Sequence, residues 1–173
     1  MQTLKNTARE LLKAFKGDSF AFGVDCFDQL GPQAAELGTR AMVITSGLGR
    51  AWGQDIHDAT RRALVEAGVE LTGEFVQGVA ANTPFEDVFR LADAIEAQQP
   101  DVIVTVGGGS NLDAAKAAIA WRTLRDHDDR FENYFGASQV TRMLDETGRK
   151  LIPLVAVQIV AGSSSHLTKY SCI

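Results

Sequence analysis

Short apolar runs alternate with longer stretches of helical periodicity along most of this chain. Val102 to Val106 are all apolar or β-branched and run straight into Gly107, Gly108, Gly109 and Ser110. Such a run, bounded by a turn, predicts a strand buried on both faces. AMVIT (41–45), ending at Ser46-Gly47, and LIPLVAVQIV (151–160) read the same way, and FAFGV (20–24) reads as a short strand. Alternation over 69–76 predicts one more. Helical patterns fill the intervals. One covers 27–38, with Pro32 near its start. Another covers 51–67, with Trp52, Ile56, Ala59, Ala63, Leu64 and Ala67 on its apolar face. A third begins at Thr83-Pro84-Phe85-Glu86, where Thr83 caps, Pro84 takes the first helical position and Glu86 completes a capping box. The fourth, about 111–124, is apolar nearly all round and predicts deep burial. Residues 125–150 are polar and mixed, with a short helix expected around Phe131–Phe135. The N-terminal MQTLKNTARELLKAF has the pattern of an amphipathic helix rather than a signal peptide.

Strands separated by helices of this length predict an α/β fold, a Rossmann-like parallel sheet with helices on both faces, built as a single domain over 1–173. Ligands on such sheets bind at the carboxyl ends of the strands. Three strand ends carry candidate chemistry: Ser46-Gly47, Gly107 to Ser110, and Ala161 to Ser165. A net charge of −5 and the absence of Lys/Arg runs argue against a general nucleic-acid or anionic-membrane surface. Nor is there an apolar stretch of the ~18 residues that predicts a membrane span. Cys26 and Cys172 are far apart and form no CxxC pair, which fits cytoplasmic thiols.

The glycine turn is the strongest chemical feature. A strand, a tight glycine turn and a helix start present free N–H groups and the positive end of a helix dipole to an anion. The turn is not the G-x-G-x-x-G fingerprint, because the sixth position is Leu112, and no Gly-Lys-Ser/Thr follows as in a P-loop. The residues alone leave two readings open, a phosphate cradle and a purely structural turn. With Ser110 as N-cap, Asp113 falls at the third helical position, where its carboxylate can accept from the cap N–H. A carboxylate repels phosphate, so a functional Asp113 would contact a sugar or a ring amide. His57, His127 and His166 are scattered and make no i, i+4 pair, so no metal site and no catalytic residue is assigned. His57 reads as solvated, His127-Asp128-Asp129 as a polar loop, and His166 as satisfied by local backbone rather than as a site residue.

GGGSNLDAAKA (107–117) resembles the GGGSxxDxAKA signature of the iron-containing alcohol dehydrogenase family. FAFGV and the helix after it are similar to that family's opening segment, and AMVIT-SG to its second strand and turn. AANTP (80–84) resembles its asparagine–proline segment, and AGSSSHLT (161–168) stands where the family has AGTGSEVT. The resemblance implies a dehydroquinate synthase-like N-terminal domain that binds NAD or NADP, with the helical domain that carries a divalent metal, iron or zinc, absent from these residues. It implies pyrophosphate against Gly108, Gly109 and Ser110, with Asp113 near the nicotinamide. Asn82 and Ser163 would line the cleft, with Thr168 and Tyr170 close to it. Ser46 stands where NAD-using members have an aspartate, so NADP is slightly preferred, and Arg50 could pair with its extra phosphate. The chain departs from the family at Gln158-Ile159-Val160, in place of Pro-Thr-Thr, at Ser163 to Ser165, and at His166, in place of a glutamate. The complete enzyme would move hydride between a small alcohol or aldehyde and NAD(P), as a cytoplasmic homo-oligomer without nucleic-acid or membrane partners; these residues alone would be inactive. The alternatives are a nucleotide-dependent lyase of the dehydroquinate synthase type and a non-enzymatic, truncated nucleotide-binding remnant.

Overall fold

A computed structural model describes residues 2–23, 25–160 and 162–173, with only the backbone of residue 2. Five strands, β1 (Arg40–Thr45), β2 (Glu70–Leu71), β3 (Val76–Gln77), β4 (Val102–Gly107) and β5 (Leu154–Gln158), form one sheet. Every pairing is parallel. β4 lies between β1 and β5, while β2 and β3 follow one another along the other edge of β1. The expected strand at 69–76 is thus two short pieces. Between them Thr72 N–H donates to Ala41 O and the Thr72 hydroxyl donates to Gln98 Oε1, so the chain leaves the ladder before Gly73 and rejoins it at Val76.

Among the described residues six α-helices accompany the sheet: α1 (Gln2–Lys16), α2 (Leu30–Leu37), α3 (Ala51–Glu66), α4 (Phe85–Gln98), α5 (Gly109–Leu124) and α6 (Gln139–Thr147). Alternate side chains of the central strands face opposite layers, as the pleat requires. Met42, Ile44 and Ile103 pack with α4 and α5; Val43, Val102, Val104 and Val106 pack with Leu30 and Ala34 of α2 and Leu64 of α3. The fold is therefore a parallel α/β sheet with helices on both faces, as the periodicity implied. Asp101 fixes the entry to β1 and β4 together: its carboxylate accepts from the N–H of Thr39 and Arg40. Burial raises that carboxyl's pKa, but these backbone bonds and the charge of Arg40 outweigh it and hold it below the ordinary value.

Several expectations are corrected. Residues 20–23 form no strand and join no ladder, and Gly23 (φ 158) bends the chain there; residue 24 lies outside the described residues. On α3 the buried stripe is Gly53, His57, Thr60 and Leu64, whereas Trp52 is 62% exposed. Their spacing of three and four residues is one helix face, and His57 belongs to it because its Nε2 meets the Ser46 carbonyl at 2.9 Å. The capping box at Thr83 does not form: Pro84 is the N-cap residue, and Thr83 stands before it at φ 51. The final strand starts only at Leu154, one residue beyond Pro153, which has no N–H for the ladder. A short 3₁₀ turn occupies Phe131–Tyr134 as expected, but α6 was not anticipated.

Candidate functional site at the carboxyl ends of β1 and β4

The chain leaves β1 toward β2 on one side and leaves β4 toward β5 on the other. Strand order reverses between β1 and β4, and the crevice outside their carboxyl ends is where open α/β sheets take ligands. Ser46 follows β1 there, and Gly108, Gly109 and Ser110 carry β4 into α5. Gly108, not Ser110, is the N-cap residue of α5, and no side chain caps it. The helix starts two residues earlier than expected because the backbone of Gly109 is already helical. The first turn of α5 contains no acid. Its N–H groups have no partner within the helix, so an anion can be held there.

Asn111 organises the crevice and was not singled out from the sequence. It is 2% exposed. Its Oδ1 accepts from Val79 N–H at 2.8 Å, and its Nδ2 donates to Ser46 Oγ at 2.6 Å. Gly78 and Gly107 flank it so closely that a Cβ on either would stand within 2.4 Å of the amide. The signal was a buried polar residue near the start of a largely apolar helix, but its meaning depends on glycines far apart in sequence.

The loop after β3 closes the crevice from the side. Arg90 donates to the carbonyls of Gln77 and Gly78, and Asp87 accepts from Ala80 N–H. Burial raises the Asp87 pKa, but that N–H and Arg90 overcome the effect and lower it. Asn82 and Thr83 are both left-handed (φ 64 and 51), an uncommon state for a β-branched residue. Thr83 is buried, and its hydroxyl donates to the Ser110 carbonyl at 3.3 Å. That bond holds a strained turn against the start of α5, with Asn82 exposed at its tip.

On the other side, residues 162–165 cross the glycine turn. A Cβ on Gly109 would meet the Ser163 side chain at 2.8 Å. Asp113 does not reach back to cap its helix. Its Oδ1 accepts from Ser165 Oγ at 2.6 Å and from Lys116 Nζ at 2.9 Å, while Lys116 also donates to the Tyr170 carbonyl. With the N-cap at Gly108, Asp113 lies too far along α5 for the capping geometry. Thr168 and Tyr170 are exposed and are not brought to the turn. They flank Lys116 beside a 400 Å³ cavity walled by Ala120, Phe131 and Tyr134. His166 is satisfied by a side chain rather than by backbone: its Nδ1 meets Gln158 Oε1, and its ring stacks on Phe20. His127 pairs with Glu146 at 3.5 Å. Among the described residues no three His, Cys, Asp or Glu side chains gather in a way that could hold a metal. Nor is any described helix long and apolar enough to cross a membrane.

An open parallel α/β sheet whose anion-ready glycine turn sits at its switch point defines the class. Within it, the chain belongs to the iron-containing alcohol dehydrogenase family, whose model matches residues 18–173. It is 31% identical over 150 residues to a 1,3-propanediol dehydrogenase of Klebsiella pneumoniae, covering 86% of this chain and 36% of that protein. Over 136 residues it is 28% identical to an NADPH-dependent butanol dehydrogenase of Clostridium saccharobutylicum, covering 79% and 32%. Among solved structures, 1,3-propanediol oxidoreductase superposes with a TM-score of 0.68 at 29% identity, over 83% of this chain and 34% of the other. The alcohol dehydrogenase from Oenococcus oeni gives 0.62 at 25%, over 80% and 33%. The chain spans about a third of the length of these relatives. All of α1 precedes the matched segment.

Proposed function

We propose that this chain is the NAD(P)-binding part of an iron-containing alcohol dehydrogenase. The observation that carries this reading is the uncapped, acid-free start of α5 at the switch point. The residues there fit a dinucleotide. None of Gly107, Gly108 and Gly109 has a left-handed φ, so their role is clearance rather than a special turn. A Cβ on Gly108 would meet only Val160, at ordinary contact distance, so the space above Gly108 is open for a phosphate.

On this reading the N–H groups of Gly109, Ser110 and Asn111 hold the pyrophosphate, with Ser163 beside it. Asp113, steadied by Ser165 and Lys116, accepts from the amide at the nicotinamide end, with Asn82 along the cleft and Thr168 and Tyr170 further out. Ser46 takes the adenosine ribose side. With no acid there to repel a 2′-phosphate, the site favours NADP over NAD. When bound, the dinucleotide supplies the ring carbon that exchanges hydride with an alcohol or aldehyde. Among the described residues no ligand set fits a divalent metal. The iron or zinc, and the alcohol pocket, belong on this reading to the length of the relatives that this chain does not match.

Titration of NADPH and NADH fluorescence with the 173-residue chain tests the proposal. Gly109→Val should weaken both at least tenfold, because its side chain pushes Ser163 aside and fills the phosphate's space, while the circular dichroism stays unchanged. Equal binding by both proteins would place the site elsewhere.

A further inference from the structure

We infer that Asn111 sets the cofactor preference by fixing the Ser46 hydroxyl as a hydrogen-bond donor toward the 2′-phosphate of NADP(H). The inference rests on the dinucleotide reading above and adds to it a residue that acts through another.

The amide of Asn111 can face only one way. Val79 N–H can give a hydrogen bond only to an oxygen, so Oδ1 must face it. The Val106 carbonyl, 3.5 Å from Nδ2, can only accept, which reinforces the same orientation. Nδ2 therefore points at Ser46 Oγ and donates to it at 2.6 Å. A serine hydroxyl has one proton and two lone pairs. With Nδ2 directed onto a lone pair, the proton is turned away from Asn111. Among the described residues that proton has no acceptor, and Ser46 is half-exposed at the crevice. The group presented to a ligand is thus an O–H donor. A phosphate oxygen takes such a donor as a charge-assisted bond, stronger than the bond a ribose hydroxyl would form. Burial makes the arrangement stiff, because the amide is packed between Gly78 and Gly107 and has no room to rotate.

Asn111→Asp tests this with almost no change in shape. A carboxylate still accepts from Val79 N–H but can no longer donate to Ser46. The Ser46 proton turns toward it and is lost to the ligand. The pyrophosphate is common to both cofactors, so any general effect on it cancels in the ratio of affinities. The NADPH-to-NADH affinity ratio of the 173-residue chain should fall at least tenfold in Asn111→Asp. Ser46→Ala should lower NADPH affinity about fivefold or more beyond any loss it causes in NADH affinity, because the bond lost to a 2′-phosphate is charge-assisted and the bond lost to a ribose hydroxyl is not. In the Ser46→Ala background, Asn111→Asp should change the ratio by less than threefold, since its route is gone. An unchanged ratio in both single variants overturns the inference while leaving the dinucleotide reading intact. A tenfold change that persists without the Ser46 hydroxyl also overturns it, since a carboxylate would then be acting directly. Failure of the wild-type chain to bind either cofactor overturns the dinucleotide reading itself, and this inference with it. Should Asn111→Asp not fold, Ser46→Ala alone decides, because equal loss of both cofactors contradicts a bond to the 2′-phosphate.

Discussion

Gly107, Gly108 and Gly109 are consecutive, yet a side chain would meet something different at each. Gly107 makes room for Asn111 and Gly109 for Ser163, while Gly108 faces nearly open space. The sequence showed three glycines in a row but not this division of labour, because the neighbours that define it, Asn111, Val160 and Ser163, come from α5 and from the segment after β5. His166 carries a second residue-scale prediction. Burial lowers its pKa, and the nearby charges of Lys116 and Lys16 lower it further. As pH falls, the unfolded chain therefore takes up this proton before the folded one does, so stability rises with pH across that window. The contribution is complete above about pH 6.5 and is lost as pH falls through the lower folded value. Melting temperatures measured at several pH values between about 7.5 and 5 should show this decline. His166→Gln should flatten it, and an identical profile in the variant would contradict the assignment.

At the scale of elements, one aromatic cluster joins α4, α5 and the 3₁₀ turn before α6. Phe131 meets Phe85, Phe89, Trp121, Tyr134 and Phe135 at centroid distances of 5.4, 5.1, 5.3, 5.8 and 5.5 Å. It is buried on a turn of only four residues, so packing rather than local propensity holds that turn. Phe131→Ala should cost about 3–4 kcal/mol by denaturant unfolding. A loss below about 1 kcal/mol would mean that the turn does not lock α4 to α5. Tyr134, pushed up to about 12 by burial and then by Asp128 and Asp126, stays protonated and donates to the Asp128 carbonyl. Strands β1 and β4 and helices α4 and α5 were legible because their apolar periods are long and unbroken. α6 was not, although Val140, Met143 and Leu144 make a stripe and Gly148 at φ 67 stops the helix. One buried residue, Met143, left that stripe faint amid polar neighbours. On α3 the expected face holds at Leu64, Ile56, Ala63 and Ala67, which pack on the core, but fails at Trp52. His57 and Thr60 are buried in addition, His57 through its polar contact with the Ser46 carbonyl rather than through hydropathy.

For the whole molecule, the parallel sheet and its family follow from strand and helix order plus one motif. The crevice does not, since it is assembled from four separate segments. Hydride transfer needs a polarised carbonyl and a stabilised alkoxide, which in metal-dependent enzymes a Lewis acid provides. No described residues gather as its ligands. The 173 residues alone should therefore show no alcohol oxidation or aldehyde reduction above background with Fe²⁺ or Zn²⁺ added and either cofactor supplied. Metal-dependent turnover in a spectrophotometric assay would contradict that. The central claim, a dinucleotide bound by the start of α5 at the switch point, is tested most directly by amide NMR of the labelled chain during NADPH titration. The account predicts that the largest saturable shifts fall on Gly108 to Asn111, Ser46 and Ser163. Shifts concentrated instead around the 400 Å³ cavity at Phe131 and Tyr134, with the glycine turn unmoved, would contradict it.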